Sequence, residues 1–463
     1  MFNRSRRRVL QTTGAAVAGG LLAGCLGGED EQTFEPDGDA EASESVELDF
    51  LLSIGGDAAE LAVEFAEEFT SMSDTISIDV REEGDYYDTW TQTLQGVRAD
   101  DPPALVHLNA IHALPAAVND AVVPIDRLLG SRTDDVDLLD PALDYYVFDD
   151  DLLALPFGMS TISLMYNVDA FEAAGLSTGP EDAPTTSFDE LRETSETVVS
   201  NGPTSRAITW PVHSWWTESW FAMDGENYLN NGNGRDEPAT EVRLDTETAE
   251  SIYGWQRDLY ENDRYLNAGF HGWGDARSAF LNEEVAIHLD SSSAIASMRD
   301  GAAEAGFESR VGMVPSPSAG NRNGLIIGGG ALAVPRGNDD ARLEAAAEFL
   351  LWMSQPEQQA RWHTGTGYYP VSEGAMSILE DDGFYDENPG FRRAFDHLLE
   401  SESTTATAGA MTLGHGEVRQ TVDDAVIGQL FDDDPEPIDA MLSGIKSDVD
   451  EHLERQAADD PRN

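Results

Sequence analysis

The chain has 463 residues and sets 88 Asp plus Glu against 27 Lys plus Arg, a formal net charge of -61 at pH 7. That balance excludes nucleic acid and anionic membrane surfaces as partners, because both are held by Lys and Arg neutralising phosphates. The length exceeds what one hydrophobic core serves, and a 40% hydrophobic content is enough to build two domains.

Near the N-terminus, SRRRVLQ (residues 5–11) places arginines ahead of small and apolar residues that run to Leu22. This order is that of an export signal. Arg6 and Arg7, followed by Val9 and Leu10, match the twin-arginine pattern, with an ordinary secretory signal as the other reading. LAGC comes next, and its Cys25 is the only cysteine, so no internal disulfide can form. The box resembles a lipoprotein processing site, in which cleavage leaves Cys25 as a lipid-bearing N-terminus. Residues 1–24 are therefore expected to be a signal peptide. Residues 25–47, acidic and poor in large apolar groups, are expected to be a disordered tether. No later apolar run is long enough to span a bilayer, so the mature protein is expected to be soluble but anchored by lipid on the outer face of the cytoplasmic membrane. The acid excess is spread along the chain, and Lys446 is the one lysine. Such a surface stays hydrated where salt screens its self-repulsion, which implies a salt-loving source.

From Val46, VELDFLLSI alternates as a strand, DAAELAVEFAEEFTS has helical spacing and TISIDVREE alternates again. A helix over DTWTQTLQGVRAD and a third strand over PPALVHLNA follow. This alternation predicts an α/β fold with a mostly parallel sheet covered by helices. SLMYNVDAFEAAGL, SFDELRETSETVVS, TETAESIYGWQRDLYEN and DARSAFLNEEVAIHLDSSS continue the mixed pattern, with Pro and Gly at the joins. GLIIGGGALAVP predicts a pair of apolar strands about a glycine turn. DDARLEAAAEFLLWMSQPEQQARWHTGTG predicts a helix, a proline stop and a second short helix.

WPVHSWWTESWF (residues 210–221) holds four of the nine tryptophans. Trp216 and Trp220, four apart, form one face of a helix suited to a buried core. The other two are candidates for an aromatic wall, which can cover a carbon skeleton or a cationic head group while excluding water. The triple glycine at residues 328–330 lacks a following P-loop lysine, and a tight turn explains it as well as a phosphate cradle does. His107 and His112 are five apart without an H-E-x-x-H context, and carboxylate pairs are everywhere at this composition. No metal, no cofactor and no enzymatic activity are expected.

LLALPFGMSTISLMYN (residues 152–167) resembles the PF…ST…YYN segment of the extracellular solute-binding proteins that feed ABC importers. LNEEVAIHLDSSSAI, LIIGGGALAV, WHTGTGYYPV and GFYDENPG follow at about the spacing of the glycerol-3-phosphate-binding branch of that family, and TLGHGEVRQTVDDAV closes the series. The resemblance runs from about residue 48 to about residue 453. It implies a two-lobed periplasmic-binding-protein-like fold of type II, with ligand in the cleft and a hinge closing over it. One lobe would hold residues 48–158 plus 315–369, the other residues 159–314 plus 370–463.

Carried over residue by residue, the resemblance implies ligand contacts from Tyr86, with Tyr87 as its substitute, and from the hydroxyls of Ser160, Ser291 and Ser292. It further implies contacts from the backbone at Gly328 or Gly329, from Tyr368 and from Arg419, with Trp215 and then Trp210 as the aromatic wall. The family's ligand-binding glutamate aligns with Ala110, where Asn109 or His112 would replace part of its role. Arg419 is the residue suited to grip phosphate or carboxylate with two parallel hydrogen bonds, and a surface ion pair is its alternative in so acidic a chain. The implied function is capture of glycerol-3-phosphate or a glycerophosphodiester outside the cell and delivery to an ABC importer permease, by a monomer. A sugar or oligosaccharide is the alternative ligand, and an exported enzyme acting on sugars or phosphoesters is the competing class.

Overall fold

The computed structural model describes residues 45–462 except 140, 141, 144, 179–186, 319, 321 and 433. The expected signal peptide, Cys25 and all but the end of the expected tether lie outside the described residues.

The first sheet begins with β1 (Val46–Leu52) and β2 (Ile76–Glu82), joined by the helix Asp57–Met72 and paired in parallel. The helix buries Ala59, Ala62, Phe65, Ala66 and Phe69, the apolar stripe that its 3.6-residue period lays along one face. Next come β3 (Leu105–Asn109), parallel to β1, then β4 (Val122–Val123), a small hairpin of β5 (Val147–Phe148) and β6 (Asp151–Leu152), and β7 (Leu155–Ser160). The second sheet is built from β8 (Ile162–Asn167), β9 (Ile208–Val212), β10 (Tyr265–Phe270), β11 (Ile287–Ser291) and β12 (Ser309–Gly312). Its order is β10-β9-β11-β8-β12. Finally β13 (Gly328–Pro335) returns to the first sheet, in the order β2-β1-β3-β13-β4, with β7 also paired to β13.

Two sheets with separate orders make the two lobes. β7 and β8 are buried at every residue, as strands covered on both faces must be, and the chain crosses between the sheets at Thr161. Thr161 is tied there: its hydroxyl shares a hydrogen bond with the Tyr369 hydroxyl, and Met159 bridges Tyr369 across a third connection. The return from β12 is later than the expected border at 315. Leu325 and Ile326 pack in the core of the second lobe, and the chain joins the first sheet at Gly328.

The expected pair of strands over GLIIGGGALAVP is instead one strand, β13, with its glycines inside it. They are there for close approach rather than for a turn. A Cβ on Gly328 would stand 2.5 Å from Trp215 Cζ2, and one on Gly330 would stand 2.5 Å from His107 Nε2. Gly329 has φ of 87°, and a Cβ there would strike the Gly158 carbonyl oxygen.

The helix Ser214–Met223 is buried along its whole length in the second lobe. The helices His415–Ala425 and Ile438–Asp459 pack on the same lobe, the second through Met441, Leu442, Ile445, Val449 and Leu453.

Candidate functional site

A cleft of about 440 Å³ opens between residues of both sheets. On the first-lobe side it is shaped by helix caps. Asp85 accepts hydrogen bonds from the backbone N–H groups of Tyr87 and Asp88, each at 2.8 Å, and so starts the helix Tyr86–Arg98 with Tyr86 and Tyr87 at the cleft. At the end of β3 the Asn109 side chain donates to the Gly329 carbonyl at 2.8 Å and accepts from the Ile111 N–H at 3.1 Å. The amide expected to replace part of the missing glutamate is thus engaged in joining β3 to β13. His112 is not on the cleft wall; its ring stacks on Trp90 at 5.5 Å. Gly367, in the left-handed region at φ 109°, ends the helix Pro356–Thr366 and turns Tyr368 inward, where its ring stacks on Trp362 at 5.5 Å.

The second-lobe side carries the aromatic wall. His213 caps the helix Ser214–Met223, its Nδ1 accepting from the Trp215 N–H at 3.0 Å, which sets the Trp215 indole on the cleft above Gly328. Trp215 is buried, and its Nε1–H has no acceptor among the described residues. His213 stacks on His271 with ring centroids 4.7 Å apart, and Trp273 completes the wall. Burial and the neighbouring Arg419 hold His213 well below the usual imidazole range, so it is neutral at pH 7.

Two arginines reach the cleft, each pinned by a buried carboxylate. Arg419 donates through Nε and Nη2 to the two oxygens of Glu218, at 2.7 and 2.8 Å, and His415 Nε2 lies 3.0 Å from the same carboxylate. Arg277 donates through Nε and Nη2 to Asp290, at 2.7 and 3.1 Å, and His288 Nε2 lies 2.8 Å from Asp290. Burial pushes both carboxyl groups upward, but Arg419 with His415 and Arg277 with His288 hold them well below the ordinary range. Both pairs are bidentate, so each guanidinium is fixed in plane with Nη1 outside the pair. Along the whole sequence, 88 acids face 27 Lys plus Arg. On the cleft wall the charged residues are Arg277, Arg419 and Asp85, and Asp85 is occupied as a helix cap. The cleft wall therefore presents the outer edges of two guanidinium groups, each already neutralised by a carboxylate behind it. Its donors, hydroxyls and aromatic faces suit retention of a small anion with a covered carbon skeleton.

Of the ten ligand contacts that the resemblance implies, Tyr86, Ser160, Trp215, Ser291, Gly328, Gly329, Tyr368 and Arg419 line this cleft, as does Tyr87, the substitute for Tyr86. Two do not. Trp210 lies in β9, buried in the second-lobe core with its ring 4.0 Å from Tyr265 and 5.4 Å from Trp255. Ser292 is fully buried and its hydroxyl oxygen accepts from the Thr161 N–H at 3.3 Å, because the 3-10 turn Ser292–Ala294 puts Ser291 and Ser293 on the cleft side. The sequence reading missed Arg277 and Trp273. They are four apart on the helix Trp273–Leu281, hence on one face, and that spacing was the signal available. Among the described residues, no group of three or more His, Cys, Asp or Glu is placed to hold a metal ion.

Residues 64–392 match the family model described as bacterial extracellular solute-binding protein. Among curated relatives, the sn-glycerol-3-phosphate-binding periplasmic protein of Pectobacterium atrosepticum is 26% identical, over 96% of this chain and 97% of its own. The protein of the same name from Escherichia coli is also 26% identical, over 81% and 86% of the two chains. Among solved structures, UgpB from Mycobacterium tuberculosis in complex with glycerophosphocholine superposes with a TM-score of 0.71 at 20% identity, covering 89% of this chain and 99% of that one. The GacH receptor of Streptomyces glaucescens, solved unliganded and with acarbose, gives 0.70 at 16% identity, covering 90% and 100%.

Proposed function

The chain belongs to the bacterial extracellular solute-binding protein family, and on that premise we propose that it captures glycerol-3-phosphate or a glycerophosphodiester as the substrate-binding component of an ABC importer. The observation that carries this ligand is the pair of carboxylate-pinned arginines in the cleft of a chain so rich in acid. Relatives along nearly the whole chain, named for binding sn-glycerol-3-phosphate, support the same reading.

In this reading the phosphate accepts hydrogen bonds from the free edge of Arg419, which costs little reorganisation because Glu218 already holds the fork in place. Hydroxyls of Tyr86, Ser160, Ser291 and Tyr368, with the backbone at Gly328 and Gly329, meet the remaining ligand oxygens. Trp215 covers the carbon skeleton or a cationic head group with its ring face. Closure of the lobes about the crossings near Thr161 and Tyr369 then removes water and presents one shape to the permease. The protein acts by binding, as a monomer without cofactor. The paired arginines Arg6 and Arg7 support twin-arginine export, the LAGC box supports a lipid anchor on Cys25, and the acid excess supports a high-salt setting. Loss of the membrane-bound fraction on Cys25→Ala is expected; an unchanged fraction would remove the anchor.

The functional test is thermal melting in molar salt with glycerol-3-phosphate, glycerophosphocholine, maltose and trehalose. A ligand at about 100 times its Kd stabilises the native state by about 2.7 kcal/mol, so the phosphates are expected to raise Tm by several degrees. A rise with the sugars alone would overturn the phosphate reading in favour of a sugar-binding protein.

A further inference from the structure

The cleft does not end at Arg277. A side chamber of about 320 Å³ shares Arg277, Ser293, Tyr368 and Ile54 with the main cleft and continues past them to residues 55–58, Ser297 and Thr366. Arg277 thus stands where the two spaces join. Its Nε and Nη2 are fixed on Asp290, which is fully buried, while its side chain is 37% exposed. This leaves the unpaired edge of a rigid guanidinium available to solvent or ligand at the junction. The carboxylate lining the chamber, Asp57, is exposed at the start of the helix Asp57–Met72 and so is well hydrated. Arg419 belongs to a different network, with Glu218 and His415, and the two arginines share no hydrogen-bond partner.

Asp290 also meets His288 and accepts from the Ser291 N–H, but a buried carboxylate–arginine pair adds little stability by itself, because desolvating the two charges offsets most of their attraction. A second such pair at a cavity junction therefore points to a use for the arginine. We propose that Arg277 is a second anion-binding point, and that the ligand carries two anionic groups: a phosphodiester held in the main cleft, and a carboxylate or further phosphate reaching the chamber at Arg277. The inference rests on the glycerophosphodiester reading above and deepens it. Both spaces are in the size range that holds ligands larger than a three-carbon phosphate.

Glycerophosphoserine and glycerophosphoethanolamine differ by one carboxylate and serve as the probes. Calorimetric titration in molar KCl is expected to show the serine diester binding the wild-type protein at least tenfold more tightly, the strength of one charge-assisted contact. In Arg277→Gln combined with Asp290→Asn, which leaves no buried carboxylate unpaired, that ratio is expected to fall to near one. Arg277→Lys, which retains the charge and loses the fork, should retain part of the ratio. Equal affinities in the wild type, or a ratio kept by the double variant, would overturn this inference alone. Equal loss of both diesters in a variant that still melts cooperatively would place the phosphodiester itself at Arg277, which also overturns it. If neither diester bound while maltose did, the functional reading would fail and this inference with it.

Discussion

At Gly328 an added Cβ would stand 2.5 Å from Cζ2 and 2.7 Å from Cε2 of Trp215, closer than real carbons approach, so Gly328→Ala must displace the indole. Overpacking of this kind costs about 1–3 kcal/mol. We expect Gly328→Ala to weaken binding of the phosphate ligand about tenfold while leaving a cooperative unfolding transition, as read by titration and urea denaturation. Unchanged affinity in a folded variant would remove Trp215 from the binding wall. The same residues show what the sequence did and did not reveal. Hydroxyls and glycines at Ser160, Ser291, Gly328 and Tyr368 could be assigned from motif order, and the structure puts them on the cleft. The resemblance ranks Trp215 ahead of Trp210 for the cleft, but the physical reason for that order is not in the sequence. The order depends on Trp210 lying in β9 between two neighbouring strands, whereas Trp215 sits in the first turn of a helix that begins at Ser214. Ser292 differed by one position for a similar reason, since a 3-10 turn rather than a continuing strand decides which serines share a face. Arg277 went unnoticed because an arginine in so acidic a chain reads as a surface ion pair until its partner is seen to be buried.

Two helices meet through two buried carboxylates: Glu218 of the helix Ser214–Met223 pairs with Arg419 and His415 of the helix His415–Ala425, and Asp423 of the latter accepts from the Ser214 hydroxyl at 2.6 Å. Removing one partner of a buried ion pair leaves the other charged and desolvated, at a cost of about 3–5 kcal/mol, whereas replacing both with apolar residues is often close to neutral. Glu218→Ala is therefore expected to lose about that much stability. Glu218→Leu combined with Arg419→Met is expected to stay near wild-type stability and to lose phosphate binding. Urea denaturation at constant salt, paired with titration, separates the two effects. A double variant that still bound glycerol-3-phosphate would show that Arg419 is only a strut between helices. At this scale the sequence was most legible where periodicity was local: the strand, helix, strand opening appears as β1, the helix Asp57–Met72 and β2. It was least legible at residues 328–330, where glycines that suggest a turn are instead strand positions pressed by Trp215 and His107. A glycine needed for a turn and a glycine needed for close approach look the same until the neighbour is known.

β13 lies more than two hundred residues after β3, yet pairs with it, with β4 and with β7, so the closing of the first sheet was not readable from local pattern. The two-lobed outcome came from the order of family motifs. Val314 packs on the side of the border at 315 where it was expected, while Leu325 and Ile326, apolar residues that would suit either core, pack with the second-lobe residues as well. What the whole sequence does state plainly is its charge of -61. Self-repulsion among surface carboxylates opposes the compact state, and the Debye length falls from about 10 Å at 0.1 M salt to about 3 Å at 1 M. Raising KCl from 0.1 to 1 M should therefore raise Tm, by about 2–4 °C for each kcal/mol of repulsion removed from domains of this size. Screening also predicts that the gain flattens above about 1 M, because there the Debye length is already shorter than the spacing of most surface charges. A Tm that climbed just as steeply from 1 to 3 M would instead indicate salt acting through exclusion from the protein surface. The arginines of the cleft are partly sheltered and fixed by Glu218 and Asp290, and buried pairs are screened less than exposed ones. Affinity for the phosphate ligand is thus expected to fall by less than about tenfold over the range in which Tm rises, as measured by titration at each salt. A loss of affinity that tracked salt as steeply as an exposed ion pair would mean that the ligand meets the arginines in open solvent rather than inside a closed cleft.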